Sequence, residues 1–147
     1  MSNLTITRRH LPHWTLDGAW YYVTFRLRAG GFTDQELQIV LEHVRFGHGR
    51  LYRLIAACVM PDHVHVILSP IGGRKLPGVM KGLKGTTAHA LNKHRGTRGI
   101  LWQSESWDRI LRDDAELQQK FSYMLMNPVE EGLTDDPWSY RGWYLQT

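Results

Sequence analysis

The sequence contains a single cysteine, Cys58, and no run of apolar residues near the ~18 that a spanning helix needs. One thiol excludes an intramolecular disulfide and suits a reducing compartment, so a cytoplasmic protein with no membrane partner is expected. Its setting, LIAACVM, reads as a small buried apolar residue rather than a nucleophile. The opening MSNLTITRRHLPHW has a basic pair with no apolar segment behind it, which argues against a signal peptide. Acid is scarce in one place above all. From His63 to Ser104 there is no Asp or Glu, while Arg74, Lys75, Lys81, Lys84, Lys93, Arg95 and Arg98 all fall there. Nine of the 14 acids come after position 104, so a net charge of +4 understates how basic the middle of the chain is. Such asymmetry can present a positive face to a polyanion, nucleic acid being the usual one, although a solvated basic surface would look the same in sequence. No repeat, low-complexity tract or long linker divides the 147 residues, and one domain spanning 1–147 is expected.

Hydrophobic periodicity supplies the elements. AWYYVTFRLR (19–28) is aromatic and β-branched with alternation, a strand ended by Gly30-Gly31. Thr33 with Glu36 three residues later forms a capping box, and Leu37, Val40, Leu41 and Val44 make the apolar stripe of the helix that follows. Residues 51–60 and 63–68 read as two strands joined at Pro61-Asp62. Helical spacing returns over 76–94, with Val79, Leu83 and Leu91 inward. A short strand is expected at 107–111. A last helix should start at Asp113 or Asp114 and run to about Met126, where Pro128 discourages continuation. The order β-α-β-β-α-β-α predicts an α+β fold, a ferredoxin-like or RRM-like antiparallel sheet with its helices on one face. The tail WSYRGWYLQT is expected to pack or to contact a partner.

MPDHVHVIL (60–68) sets two imidazoles on a strand with one valine between them. Alternation sends His63 and His65 to one face, about 6.6–6.8 Å apart along the strand, within reach of one cation. Two histidines on a half-exposed face are equally compatible with plain surface. In the last helix Glu116, Lys120, Tyr123 and Asn127 share a stripe, and Tyr123 and Asn127 stand one turn apart if the helix persists that far. Asn127 would supply an oxygen ligand beside a tyrosine, a side chain able to act as a covalent nucleophile. A boundary aromatic and a C-terminal cap explain the same spacing.

Taken together, VMPDHVHVIL, MKGLKGTTAHALNK, LWQSESWDRILRDD and YMLMNPVEEGL, in that order, resemble the REP-associated tyrosine transposases, members of the HUH single-tyrosine (IS200-like) superfamily. RRHLPHW and AWYYVTFRLR fit the family's opening, and the likeness runs from about Arg8 to Tyr140. The resemblance implies a ferredoxin-like catalytic domain acting on single-stranded DNA near hairpins in a prokaryotic nucleoid. His63, His65 and Asn127 match the family's metal ligands, for Mg2+ or Mn2+, and Tyr123 its nucleophile. The implied chemistry is transesterification through a 5′-phosphotyrosine link, with a monomer acting in cis expected and a homodimer as the alternative. Position 62 is Asp where the family motif has Asn.

Arg8, Arg9, Lys81, Lys84, Lys93, Arg95 and Arg98 are the expected DNA contacts, with Trp14 and Trp102 as candidate stacking platforms. Arg109 and Arg112, placed among acids, are expected in salt bridges. The competing reading is a catalytically silent module of the same fold that binds single-stranded DNA or RNA. A zinc hydrolase would need a third strong ligand and a general base, and no HExxH-type motif supplies them.

Overall fold

The computed structural model describes residues 18–147, so the expectations on Arg8, Arg9 and Trp14 lie outside the described residues. The chain runs β1 (Trp20–Arg26), α1 (Asp34–Phe46), β2 (Tyr52–Val59), β3 (His63–Pro70), α2 (Leu76–Arg95), β4 (Trp107–Leu111), α3 (Asp114–Glu130) and β5 (Trp143–Leu145), with a 3-10 turn at Pro137–Ser139. The strands form one antiparallel sheet in the order β4-β1-β3-β2-β5. Its first four strands have the ferredoxin-like order, and the expected α+β class is what the chain adopts. No helix among the described residues is long and apolar enough to cross a membrane.

The capping box closes as expected: Glu36 N–H donates to Thr33 Oγ1 at 3.2 Å and Thr33 N–H to the Glu36 carboxylate at 2.8 Å. Four of the strand-facing valines and leucines of α1 are buried with Val79, Leu83 and Leu91 of α2 against Val23, Phe25, Val64, Val66 and Leu68 of the sheet.

Two expectations are corrected, and a third, the packing of the tail, is borne out in a specific form. The helices do not share one face. Leu117, Phe121, Met124 and Leu125 of α3 pack with Tyr22, Ile55, Ala56, Cys58 and Ile67 on the opposite side. The reason lies in the central strands: β2 and β3 are buried along nearly their whole length, so both faces need a cover. The helix also does not stop at Met126. It carries Pro128 inside its last turns and ends at Glu130 because Met124, Leu125, Asn127 and Pro128 are all buried, and that packing outweighs one lost backbone hydrogen bond. Finally, the aromatic tail is a fifth strand. Glycine is required at its entry, because a Cβ at Gly142 would collide with the Val59 carbonyl. Trp143 then meets Phe121 edge to face at 5.3 Å, joining β5 to α3.

A register shift between Leu54 and Ala56 places Ile55 and Ala56 together on the α3 side. Beyond it Cys58 pairs with His65, so the half of β2 beside the histidines presents buried Cys58 to the α3 face and Ala57 and Val59 to the other. Cys58 is fully buried, which pushes its thiol far above the ordinary range and suits the inert role expected of it.

Candidate active site

The two histidines emerge from the start of β3 onto the α3 side of the sheet. Across from them on β1, Thr24 pairs with His65 and Arg26 with His63, while Tyr22 pairs with Ile67. On the edge strand, Trp107 pairs with Thr24 and Arg109 with Tyr22. Alternation therefore collects Tyr22, Thr24, Arg26, His63, His65, Trp107 and Arg109 on one face.

His65 is 3% exposed, and both hydroxyls beside it touch its Nδ1, Tyr22 at 2.9 Å and Thr24 at 2.9 Å. The Tyr22 ring lies almost coplanar with the imidazole, at 8°. His63 donates its Nδ1–H to the Asp62 carboxylate at 2.7 Å. With both Nδ1 atoms held, the two Nε2 atoms turn toward each other and stand 3.1 Å apart. Burial pushes the His65 pKa down to about 3, with His63 and then Arg26 acting in the same direction. The ring is thus neutral over the whole physiological range. Burial likewise pushes the Tyr22 hydroxyl up to about 12, so it stays protonated. A hydroxyl both donates and accepts, so Tyr22 and Thr24 satisfy His65 in either tautomer.

This arrangement fits a divalent ion. With metal–nitrogen bonds of about 2.1 Å, two ligands at right angles stand about 3.0 Å apart, close to the separation already present between the Nε2 atoms. The Asp62–His63 hydrogen bond has the form of the carboxylate–histidine pairs that orient metal ligands. Among the described residues no group of three or more His, Cys, Asp or Glu side chains gathers here to hold a metal ion.

Tyr123 lies on α3, half exposed, with its ring edge-on to His65 at 6.2 Å and to Tyr22 at 6.4 Å between centroids. Asn127 follows one turn later at 9% exposure. The start of α3 is pinned to β4: Glu116 accepts from the Arg112 backbone at 2.8 Å and from Arg109 Nη2 at 2.8 Å, with Arg112 Nη2 at 3.4 Å. The salt bridges expected of both arginines are present. Those donors, the Arg112 amide first and Arg109 next, hold the Glu116 carboxyl down at about 2.

The basic block is arranged differently. Lys81, Lys84 and Lys93 are carried by α2, whose layer lies on the opposite side of the sheet from the histidine pair. Lys84 donates to the backbone carbonyls of Gln103 at 3.0 Å and Ser104 at 3.5 Å, and burial lowers its pKa. Arg95 is tied to Glu36 at 2.6 Å and to the Gly31 carbonyl at 3.3 Å. Lys81, Lys93 and Arg98 remain exposed. Trp102, a candidate stacking platform in sequence, is instead 3% exposed, packed on Phe25 at 4.7 Å and donating its indole N–H to Thr87 at 3.0 Å.

Four neighbours of the histidines escaped the sequence reading: Tyr22, Thr24, Arg26 and Trp107. The alternation of YYVTFR carries the signal, but only once the register between β1 and β3 is known.

Comparison with known proteins gives the family and the fold. A Haemophilus influenzae protein assigned to the REP-associated tyrosine transposases is 24% identical over 105 residues, covering 63% of this chain and 60% of that protein. The REP-associated tyrosine transposase of Escherichia coli is 26% identical over 119 residues, covering 78% of this chain and 68% of its own length. The chain thus spans about two thirds or less of the curated relatives it matches. Among solved structures, a REP-associated tyrosine transposase bound to a REP hairpin superposes with a TM-score of 0.65 at 20% identity, over 89% of this chain and 79% of that one, a likeness of fold. The family model described as IS200-like transposase matches residues 30–110, a segment that holds the histidine pair and ends before Tyr123. That match covers more than half of the sequence, and the chain belongs to the IS200-like transposase family.

Proposed function

We propose that this chain cuts and rejoins single-stranded DNA beside hairpins, with Tyr123 as the nucleophile and a divalent metal, Mg2+ or Mn2+, held by His63, His65 and Asn127. The observation that carries the reading is the pair of Nε2 atoms facing each other at 3.1 Å beneath a half-exposed tyrosine. At that distance the two Nε2 atoms share a proton in a hydrogen bond, and a cation would take the place of that proton with both rings already aimed. The family membership, and a relative of the same fold solved on a REP hairpin, support DNA as the substrate.

The Tyr123 oxygen attacks a phosphodiester, an O–P bond forms, and the bond from phosphorus to the 3′-oxygen breaks. The phenolic proton is lost and the leaving 3′-oxygen gains one, so the step is balanced without water. The covalent link keeps the energy of the broken ester, and a 3′-hydroxyl attacking it reverses the step. The metal, when bound, neutralises charge on the scissile phosphate. Burial keeps His65 neutral, Thr24 and Tyr22 hold it in place, Asp62 aims His63, and Arg26 adds a fixed positive charge at the same end of the sheet. A protein of this design works on a strand whose backbone is open on one side, which a hairpin flank provides.

The test is incubation of labelled hairpin DNA with a single-stranded flank, in Mn2+ or Mg2+ and in chelator, resolved on a denaturing protein gel. A metal-dependent shifted band that is absent from Tyr123→Phe supports the reading. Binding with no adduct under any metal condition refutes it and leaves a silent nucleic-acid module.

A further inference from the structure

We infer that Trp107 and Lys120 form a nucleotide subsite beside Tyr123, in which a base of single-stranded DNA stacks on the Trp107 indole and the phosphate next to it rests on the Lys120 ammonium. The inference deepens the proposed function and rests on it for the identity of the polymer.

Large aromatic side chains at strand positions are normally buried. Trp107 is 52% exposed although it sits on a sheet face that has a helix over it. Its ring is fixed edge-on to the buried Tyr22 ring, at 5.6 Å and 76°, so one edge is anchored while much of the surface stays open. An anchored, exposed indole offers a rigid stacking surface at little cost in side-chain entropy.

Lys120 stands one turn before Tyr123 on α3. Its Nζ lies 5.4 Å from the ring centre of Tyr22, 5.7 Å from Trp107 and 5.9 Å from Tyr123, so three aromatic rings hold one ammonium. The acid best placed to pair with it, Glu116 at i−4, is already occupied by Arg109 and Arg112. Among the described residues no salt bridge joins Lys120 to a carboxylate. Its charge is therefore available to an incoming anion, within the same cluster of rings that includes the proposed nucleophile. Base on indole and phosphate on ammonium is the pairing a single strand offers within one nucleotide, and a duplex with stacked bases does not.

The experiment measures anisotropy of labelled oligothymidylate and of an abasic strand of equal length on the cleavage-blocked Tyr123→Phe protein across a salt series. Added Trp107→Ala should weaken oligothymidylate binding about tenfold and leave the abasic strand unchanged, while Trp107→Phe keeps most of the affinity. Added Lys120→Gln should weaken both strands and lower the slope of log K against log salt by about 0.7, with Lys120→Arg restoring it. Unchanged binding in both Trp107→Ala and Lys120→Gln overturns the subsite, as does an equal loss on the abasic strand for Trp107→Ala. Because the readout is binding, it is independent of the adduct assay. These shifts in a protein that forms no adduct uphold the subsite and refute the chemistry; an adduct without the shifts does the reverse.

Discussion

On the side covered by α1 and α2, the paired strands β1 and β3 contribute Val23, Phe25, Val64, Val66 and Leu68, all fully buried. On the side covered by α3, the same strands contribute Tyr22, Thr24, His63 and His65. Two helices cover the first face, whereas one helix covers the second. The first face is held mainly by apolar burial, which asks chiefly for volume and shape. The second holds polar groups that must be satisfied one by one, and each hydrogen bond there fixes the direction of a ring nitrogen. Alternation lets one pair of strands do both: Val23, Phe25, Val64, Val66 and Leu68 set stability, and the residues between them, Tyr22, Thr24, His63 and His65, set chemistry.

The comparison is broken most sharply by exchanging damage between the faces. Tyr123→Phe should remove the covalent adduct altogether while leaving the melting transition nearly unchanged, since the hydroxyl sits on a half-exposed ring. An adduct that persists in this variant would place the nucleophile elsewhere. Phe25→Ala on the sealed face should do the opposite. Removing a fully buried ring that packs on Trp102 at 4.7 Å should cost about 3–5 kcal/mol in urea unfolding, with adduct formation per folded molecule retained well below the transition. A loss under about 1 kcal/mol would mean that this face is not the stability core.

Between these extremes stands Asp62, whose carboxylate accepts from the His63 ring at 2.7 Å while its backbone carbonyl accepts from the Leu27 N–H at 3.0 Å. Asp62→Ala should raise the Mn2+ concentration for half-maximal adduct formation by about 10–100-fold. Asp62→Asn, which keeps an acceptor oxygen, should raise it less. Equal metal dependence in all three proteins would show that His63 is oriented without its neighbour.

Much of this was legible in the sequence, and the remainder has physical reasons. Strand and helix positions follow from apolar periodicity, and the Thr33–Glu36 box is a local signal that needs no tertiary information. His63 and His65 share a face because alternation demands it. The placement of α3 on the other face was not legible from the motif order, although the unbroken apolar runs LIAACV and VIL already imply strands covered on both sides. Pro128 misled because a local cost was weighed without the burial that offsets it. Charge counting misled for a related reason: Lys84 and Arg95 look like free cations in sequence, yet their partners Gln103, Ser104 and Glu36 come from distant segments. Trp102 and Trp107, five positions apart, have opposite burial, and only the sheet edge decides which of them faces water.

The smallest effect concerns how the open face keeps its shape. Glu116 ties β4 to the first turn of α3, and with them the relation of Trp107 to Lys120 and Tyr123. Its carboxyl is held at about 2 in the folded chain by the Arg112 amide and Arg109, below the ordinary value of about 4.3 for a glutamate. A depressed carboxyl pKa stabilises the fold above the unfolded value, and that contribution fades as pH falls from about 4.5 through about 2. Solvent reaches this site, so the contribution is modest. Comparing wild type with Glu116→Gln in urea, the wild type should be the more stable at pH 7, and the gap should narrow steadily on acidification and nearly close at pH 2. A gap that stays constant from pH 7 to pH 2 would mean that Glu116 acts through packing and neutral hydrogen bonds, and that charge does not hold α3 to the edge of the sheet.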